Sequence, residues 1–261
     1  MTGRIFLMAA FALLTTVVGL SAPSQRLATP PTVEAMMAEA GRAAALFSKQ
    51  PSGKKIGIIE FPLPATGATE LDEWPGGIRQ KGAVLSSILS PLFRELNFST
   101  PNPTPRIIDE DDCVAIWKNS DNVHICSFAT PDSIDELRYI LDDSSAVLLL
   151  LLPQFFLDPL SRESSKQFLA SAEQVYMLEQ LNMRGERLAG ALPVRGLLYR
   201  SFPAQFQAGR RLDAGGYVTL ASYSEKPSRG ELEKVFLEDS KTRDGQLSMK
   251  EMLQKLVPRL D

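Results

Sequence analysis

The sequence predicts an α/β fold: an open, largely parallel sheet with helices on both faces, a three-layer, Rossmann-like arrangement. Three observations predict it. Short apolar runs alternate with longer segments of helical periodicity. One run, Ala146 to Leu152, is aliphatic throughout and stopped by Pro153, as in a strand covered on both faces. The last two apolar runs have no helical segment between them, so antiparallel edge strands are expected near the C-terminus.

The elements follow in order. Ile5 to Ala22 reads IFLMAAFALLTTVVGLSA, preceded by Arg4 and free of charge. A basic start, an apolar run and small residues at its end predict a signal peptide over 1–21, cleaved just before Ala22. An uncleaved anchor is the alternative, but the run is barely long enough to span a bilayer. Residues 22–31 carry Ser24, Thr29 and Arg26 and no acid, the composition of a transit-like segment. Together these two pieces resemble the two-step address of secondary plastids, so a plastid destination is expected, with secretion as the alternative.

The α/β domain is expected over 32–238. Thr32 is placed to cap a helix reaching about Ser48, with Met36, Ala40, Ala43, Ala44 and Phe47 on one face. Ile56 to Phe61 predicts a buried strand closed by Pro62 and Pro64. An apolar stripe from Ile78 to Leu96 predicts one amphipathic helix. Arg106 to Ile108 reads as a short strand, Cys113 to Lys118 as a short helix, and Val123 to Phe128 as a strand. Pro131 opens a helix to about Asp143. A long helix is expected from Pro159 to Leu181, then strands over 196–202 and 216–223. The chain is helical again from about Ser228, and 239–261 reads as a helix-turn-helix tail.

Composition narrows the chemistry. The 261 residues are 44% hydrophobic, enough for one sizeable core. A net charge of -3 gives no pull toward nucleic acid. The single histidine, His124, excludes an HExxH helix and a three-histidine zinc site. It sits in the alternation Val123-His124-Ile125-Cys126, where a strand histidine is more often a satisfied core or edge residue than a base. Cys113 and Cys126 fit no metal spacing and read as buried thiols, with a regulatory disulfide as the alternative. Gly53-Lys54-Lys55 lacks the first glycine and the hydroxyl residue of a phosphate loop, and no GxGxxG or GxSxG occurs. No cofactor and no metal site are expected. The stretch from Ser240 to Glu251 has calcium-loop spacing, with Thr242, Asp244, Gly245 and Ser248 in register, but position one lacks its carboxylate. A plain helix-turn-helix is the better reading.

Two sets of residues remain as candidate sites. Glu60, Asp109 and Asp158 each follow a run read as a strand, and ligands of open α/β sheets bind beyond the carboxyl ends of strands. These three are candidate ligand-binding residues. The alternative for Asp109 to Asp112 is an acidic run that caps the next helix and faces water. Arg195, Arg200, Arg210 and Arg211 lie in a stretch with no acid and three interleaved aromatics, a candidate patch for an anionic partner. The alternative is a strand face with a solvated loop.

Several short motifs, taken in order, carry a family resemblance: Ile59-Glu60-Phe61-Pro62, Leu152-Pro153-Gln154, Glu173-Gln174-Val175-Tyr176, Gly196 to Pro203 and Glu225 to Ser228. Over roughly Thr32 to Phe236 the chain resembles a plastid and cyanobacterial domain of unknown function. That family includes low-photosystem-II-accumulation factors and an extension of a chloroplast adenylate kinase. The resemblance implies a plastid setting and brings no established catalytic residues. The expectation is therefore a non-enzymatic auxiliary protein that binds a protein partner in photosynthetic-complex biogenesis, with peripheral contact to the plastid membrane as a further expectation. The alternative is a small-molecule binder or enzyme using the crevice at the strand ends.

Overall fold

A computed structural model describes residues 25–51, 55–68, 72–155, 162–183 and 194–239. The residues read as a leader, Asp158 and the stretch 240–251 lie outside the described residues. The helix capped by Thr32 is present: the Thr32 hydroxyl accepts from Ala35 N at 3.1 Å, and α1 spans Val33–Ser48. Its Met37, Ala40, Ala44 and Phe47 recur at helical spacing and are buried.

The ten strands are β1 (Arg26–Leu27), β2 (Ile56–Glu60), β3 (Arg106–Asp109), β4 (Val114–Lys118), β5 (Val123–Ser127), β6 (Val147–Leu151), β7 (Glu173–Met183), β8 (Val194–Ser201), β9 (Phe206–Arg211) and β10 (Tyr217–Tyr223). They form one sheet in the order β1-β10-β9-β8-β7-β2-β6-β5-β4-β3. The remaining helices are α2 (Gly77–Ile88), α3 (Ser90–Glu95), α4 (Ile134–Leu141), α5 (Arg162–Leu169) and α6 (229–239). The fold is thus mixed α/β.

The expectation of a largely parallel, Rossmann-like sheet is corrected. Only the ladders β2–β6, β2–β7 and β5–β6 run parallel; the other six are antiparallel. A parallel centre of four strands carries a β3–β4 hairpin arm on one side and a β8–β9–β10 meander, edged by the short β1, on the other. The meander supplies the antiparallel edge expected near the C-terminus.

Three helix expectations also change. The stripe from Ile78 to Leu96 is two helices, because Pro91 has no N–H to continue α2 and instead opens α3. Cys113 to Lys118 is strand rather than helix: Val114 to Trp117 are buried in succession, and β4 pairs with β5 at Trp117↔Ile125. The long helix from Pro159 to Leu181 stops at Leu169, and β7 takes over from Glu173. The β-branched and aromatic pair Val175-Tyr176 suits a strand, and β2 on one side and β8 on the other hold it there.

Alternate residues of β6 enter different cores. Leu149 and Leu151 join α1 and α3 in one cluster, whereas Leu148 and Leu150 join Ile134 and Leu137 of α4 and Phe168 of α5 in another. Leu232 and Phe236 of α6 pack on Met177, Leu198 and Phe206 in a third. Gly57 makes room for side chains of β7, β6 and α1: a Cβ there would come within 2.7 Å of Val175 Cγ2, 2.8 Å of Leu149 Cδ2 and 3.0 Å of Phe47 Cε1.

Candidate functional site

The carboxyl ends of the parallel strands are set by proline. Pro62 follows β2 and Pro153 follows β6, and a residue without an N–H cannot continue a central ladder. β7 has no proline and runs on past its last bridge to β2, Glu60↔Met177. The neighbouring strands therefore part, and a cavity of about 520 Å³ opens between them, lined by Glu60, Pro62, Leu152, Met177, Glu179 and Lys226, among others. This is where open α/β sheets hold their ligands. Smaller cavities adjoin it. One of about 330 Å³ shares Phe61, Pro62 and Leu152 and adds Trp74 and Lys81. Another of about 300 Å³ shares Glu179, Gln180 and Lys226 and follows β7 toward Arg229 of α6.

Glu60 is the charged residue at the head of the cleft. Lys226 Nζ stands 3.6 Å from its Oε2, an ion pair longer than a hydrogen bond. That oxygen is shielded from solvent and accepts no hydrogen bond among the described residues. A shielded, unsatisfied carboxylate oxygen is costly, and a donor from a ligand would remove the cost.

Asp109 does not join Glu60. It ends β3 at the sheet edge, and β4, β5 and β6 stand between β3 and β2. Its Oδ1 accepts from Asp111 N at 2.8 Å and Asp112 N at 3.1 Å, so it builds the turn into β4 rather than a helix cap. It lines a separate cavity of about 350 Å³ with Leu85, Ile107, Cys113 and Trp117. Asp158 lies outside the described residues. Among the described residues no group of three or more His, Cys, Asp or Glu side chains is placed to hold a metal.

The four arginines separate by strand alternation. Arg200 is buried; its guanidinium meets Glu173 at 2.5 Å, donates to Ala204 O at 3.2 Å and lies 4.6 Å from the Phe206 ring centre. Arg210 points to the α6 side, where its Nε lies 2.8 Å from Asp239 Oδ2, close enough for an ion pair though not angled as a hydrogen bond. Arg195 and Arg211 face the other side of the sheet and are exposed. They flank the Gly196↔Arg210 bridge from adjacent strands. The single basic patch expected from sequence is therefore two neutralised arginines and two exposed ones on the opposite face.

His124 is buried on β5 with Nε2 2.9 Å from Asn122 Oδ1. Burial lowers its pKa, with Lys118 and Arg106 acting in the same direction. The two cysteines are free and enter different clusters: Cys113 packs against the α1–α3 core and Cys126 within the α4–α5 core. A disulfide between them does not fit this arrangement. Sequence reasoning missed Lys226 and β7 as parts of the cleft. The only sequence signal for the first was its place in Glu225-Lys226-Pro227, and β7 was hidden by its helix-compatible spacing.

A family model described as a domain of unknown function (DUF1995) matches residues 30–234. No curated protein and no solved structure matches the chain.

Proposed function

The chain belongs to the family described as domain of unknown function DUF1995, and on that premise we propose that it is a non-enzymatic auxiliary protein of the plastid that binds a protein partner in photosynthetic-complex biogenesis. One observation carries the binding reading: the cleft at the carboxyl ends of β2 and β6, headed by Glu60 with an oxygen that no described residue hydrogen-bonds. The plastid setting is supported by the signal-plus-transit composition of residues 1–31 and by the resemblance to a plastid and cyanobacterial family that includes low-photosystem-II-accumulation factors.

The cleft is suited to holding rather than converting. Among the described residues Glu60 has Lys226 as its ion-pair partner, and Asp109 faces another cavity. A small-molecule ligand is the second reading, favoured by a cavity volume within the usual range of ligand pockets.

Affinity purification from plastids tests the proposal. Tagged wild-type protein is expected to retain a defined set of proteins that the Glu60→Gln, Lys226→Ala double variant loses while remaining folded. Identical recovery with both forms refutes the cleft as the binding site. Recovery of a bound metabolite and no protein favours the small-molecule reading.

A further inference from the structure

We propose that the open edge of β7 from Leu178 to Met183 is a strand-addition site for an extended segment of a partner protein that alternates apolar and basic residues. The inference rests on the binding reading above and says how the cleft takes its partner.

The phase of the β7–β8 ladder places the free groups. Phe202 N donates to Val175 O at 2.9 Å, and the register then runs unbroken from Tyr176↔Ser201 to Met183↔Val194. In an antiparallel pair, hydrogen-bonded residues alternate with residues whose backbone groups point away. Val175, Met177, Glu179, Leu181 and Met183 thus bond to β8. Leu178, Gln180 and Asn182 aim their N–H and C=O at the other edge. β2 occupies that edge as far as the parallel bridge Glu60↔Met177, which takes the Leu178 N–H onto the Glu60 carbonyl and leaves the Leu178 C=O and both groups of Gln180 and Asn182 beyond it. Beyond it no strand among the described residues pairs with β7. The vacated lane runs about 20 Å at the usual strand rise. It is bordered by the two cavities that share Glu179, Gln180 and Lys226.

The lane selects its occupant. An added strand would lie end-on to β2, beside Leu152 and Pro153, which line the same cavity as Glu179 and Gln180. On the α6 side, Glu179 is exposed and makes no ion pair among the described residues, so a lysine or arginine of the added strand belongs across from it. On the other side, half-buried Leu178 and Leu152 offer apolar contact to the adjacent residue. Backbone bonds supply affinity and these alternate side chains supply selectivity.

The full chain is panned against a phage-displayed library of random linear peptides. Selected peptides are expected to alternate apolar with Lys or Arg residues and to slow amide exchange at Gln180 and Asn182 on binding. Gln180→Pro removes a donor from the open edge and leaves the β8 ladder intact, since that N–H does not serve β8. It should weaken binding by about tenfold or more. N-methylation of the peptide at every second residue should abolish binding in one phase and spare it in the other, a readout that stands even if Gln180→Pro fails to fold. No selectable peptide, equal affinity for folded Gln180→Pro, or indifference to N-methylation in both phases overturns the proposal. So does self-association of the chain that Gln180→Pro abolishes, because the occupant would then be a second copy. Plastid partners lost with Glu60→Gln, Lys226→Ala but kept by Gln180→Pro refute strand addition alone. Peptides bound at the edge with no partner recovered from plastids refute the plastid reading alone.

Discussion

Arg200 of β8 and Glu173 of β7 form an ion pair at 2.5 Å with side chains only 10% and 20% exposed, and the Phe206 ring lies 4.6 Å from the guanidinium. An arginine that composition assigns to a binding surface is thereby part of the packing between β7, β8 and β9. Arg200→Ala removes a buried guanidinium that meets Glu173, the Ala204 carbonyl and the Phe206 ring together, and breaking a buried pair of this kind typically costs a few kcal/mol. A loss of about 2–3 kcal/mol is expected after allowing for residual exposure. Arg211→Ala, at an exposed position, should stay within about 0.5 kcal/mol. Urea denaturation of the two variants decides: equal, small effects would show that the pair is not structural.

Gly57 should tolerate no side chain. Gly57→Ala places a methyl against Val175, Leu149 and the Phe47 ring, all from buried side chains of different elements. Overpacking of that kind costs about 1–3 kcal/mol. Thermal melting should register the loss, and an unchanged midpoint would mean that α1 moves off the sheet freely.

The thiols should differ in reactivity. Burial pushes the Cys126 thiol up to about 12 and also raises Cys113, which the nearby Arg79 partly offsets. The thiolate is the reactive form. Near neutral pH an aromatic disulfide reagent is expected to label Cys113 slowly and Cys126 only on unfolding. Oxidant should produce no internal disulfide, as read by mobility on a non-reducing gel. A rapid two-thiol reaction in the native state would contradict this arrangement.

His124 predicts a pH dependence with a definite sign. Its folded pKa lies below the ordinary 6.5, first because of burial and then because of Lys118 and Arg106. Between the two values the unfolded chain binds the proton and the folded chain does not. The stability contribution is therefore full above 6.5 and is lost as the pH falls from there through the folded value. Asp143 is held low by hydrogen bonds from Ser145 and Asn122, so its contribution is lost only below 3.8. Urea midpoints measured between about pH 7 and pH 5 should fall in the wild type and flatten in His124→Gln. Parallel profiles would assign the effect to another group.

By itself the sequence determined the local elements whose signals do not depend on distant neighbours. The Thr32 cap, the aliphatic β6 run halted by Pro153 and the proline-closed β2 are decided by side chains within a few residues of one another. The resemblance carried by short motifs also placed the domain over nearly the span that the family model matches. Only the tertiary structure decided the rest. Glu173 to Met183 fits a helix by spacing, but its flanking strands make it β7. Arg200 and Arg210 are read as free charges until Glu173 and Asp239 arrive from other elements. Glu60 and Asp109 share a strand-end position in sequence, yet the sheet order places β4, β5 and β6 between their strands. Strand pairing and charge pairing are set by residues far apart along the chain, and a pattern confined to one segment does not contain its partner.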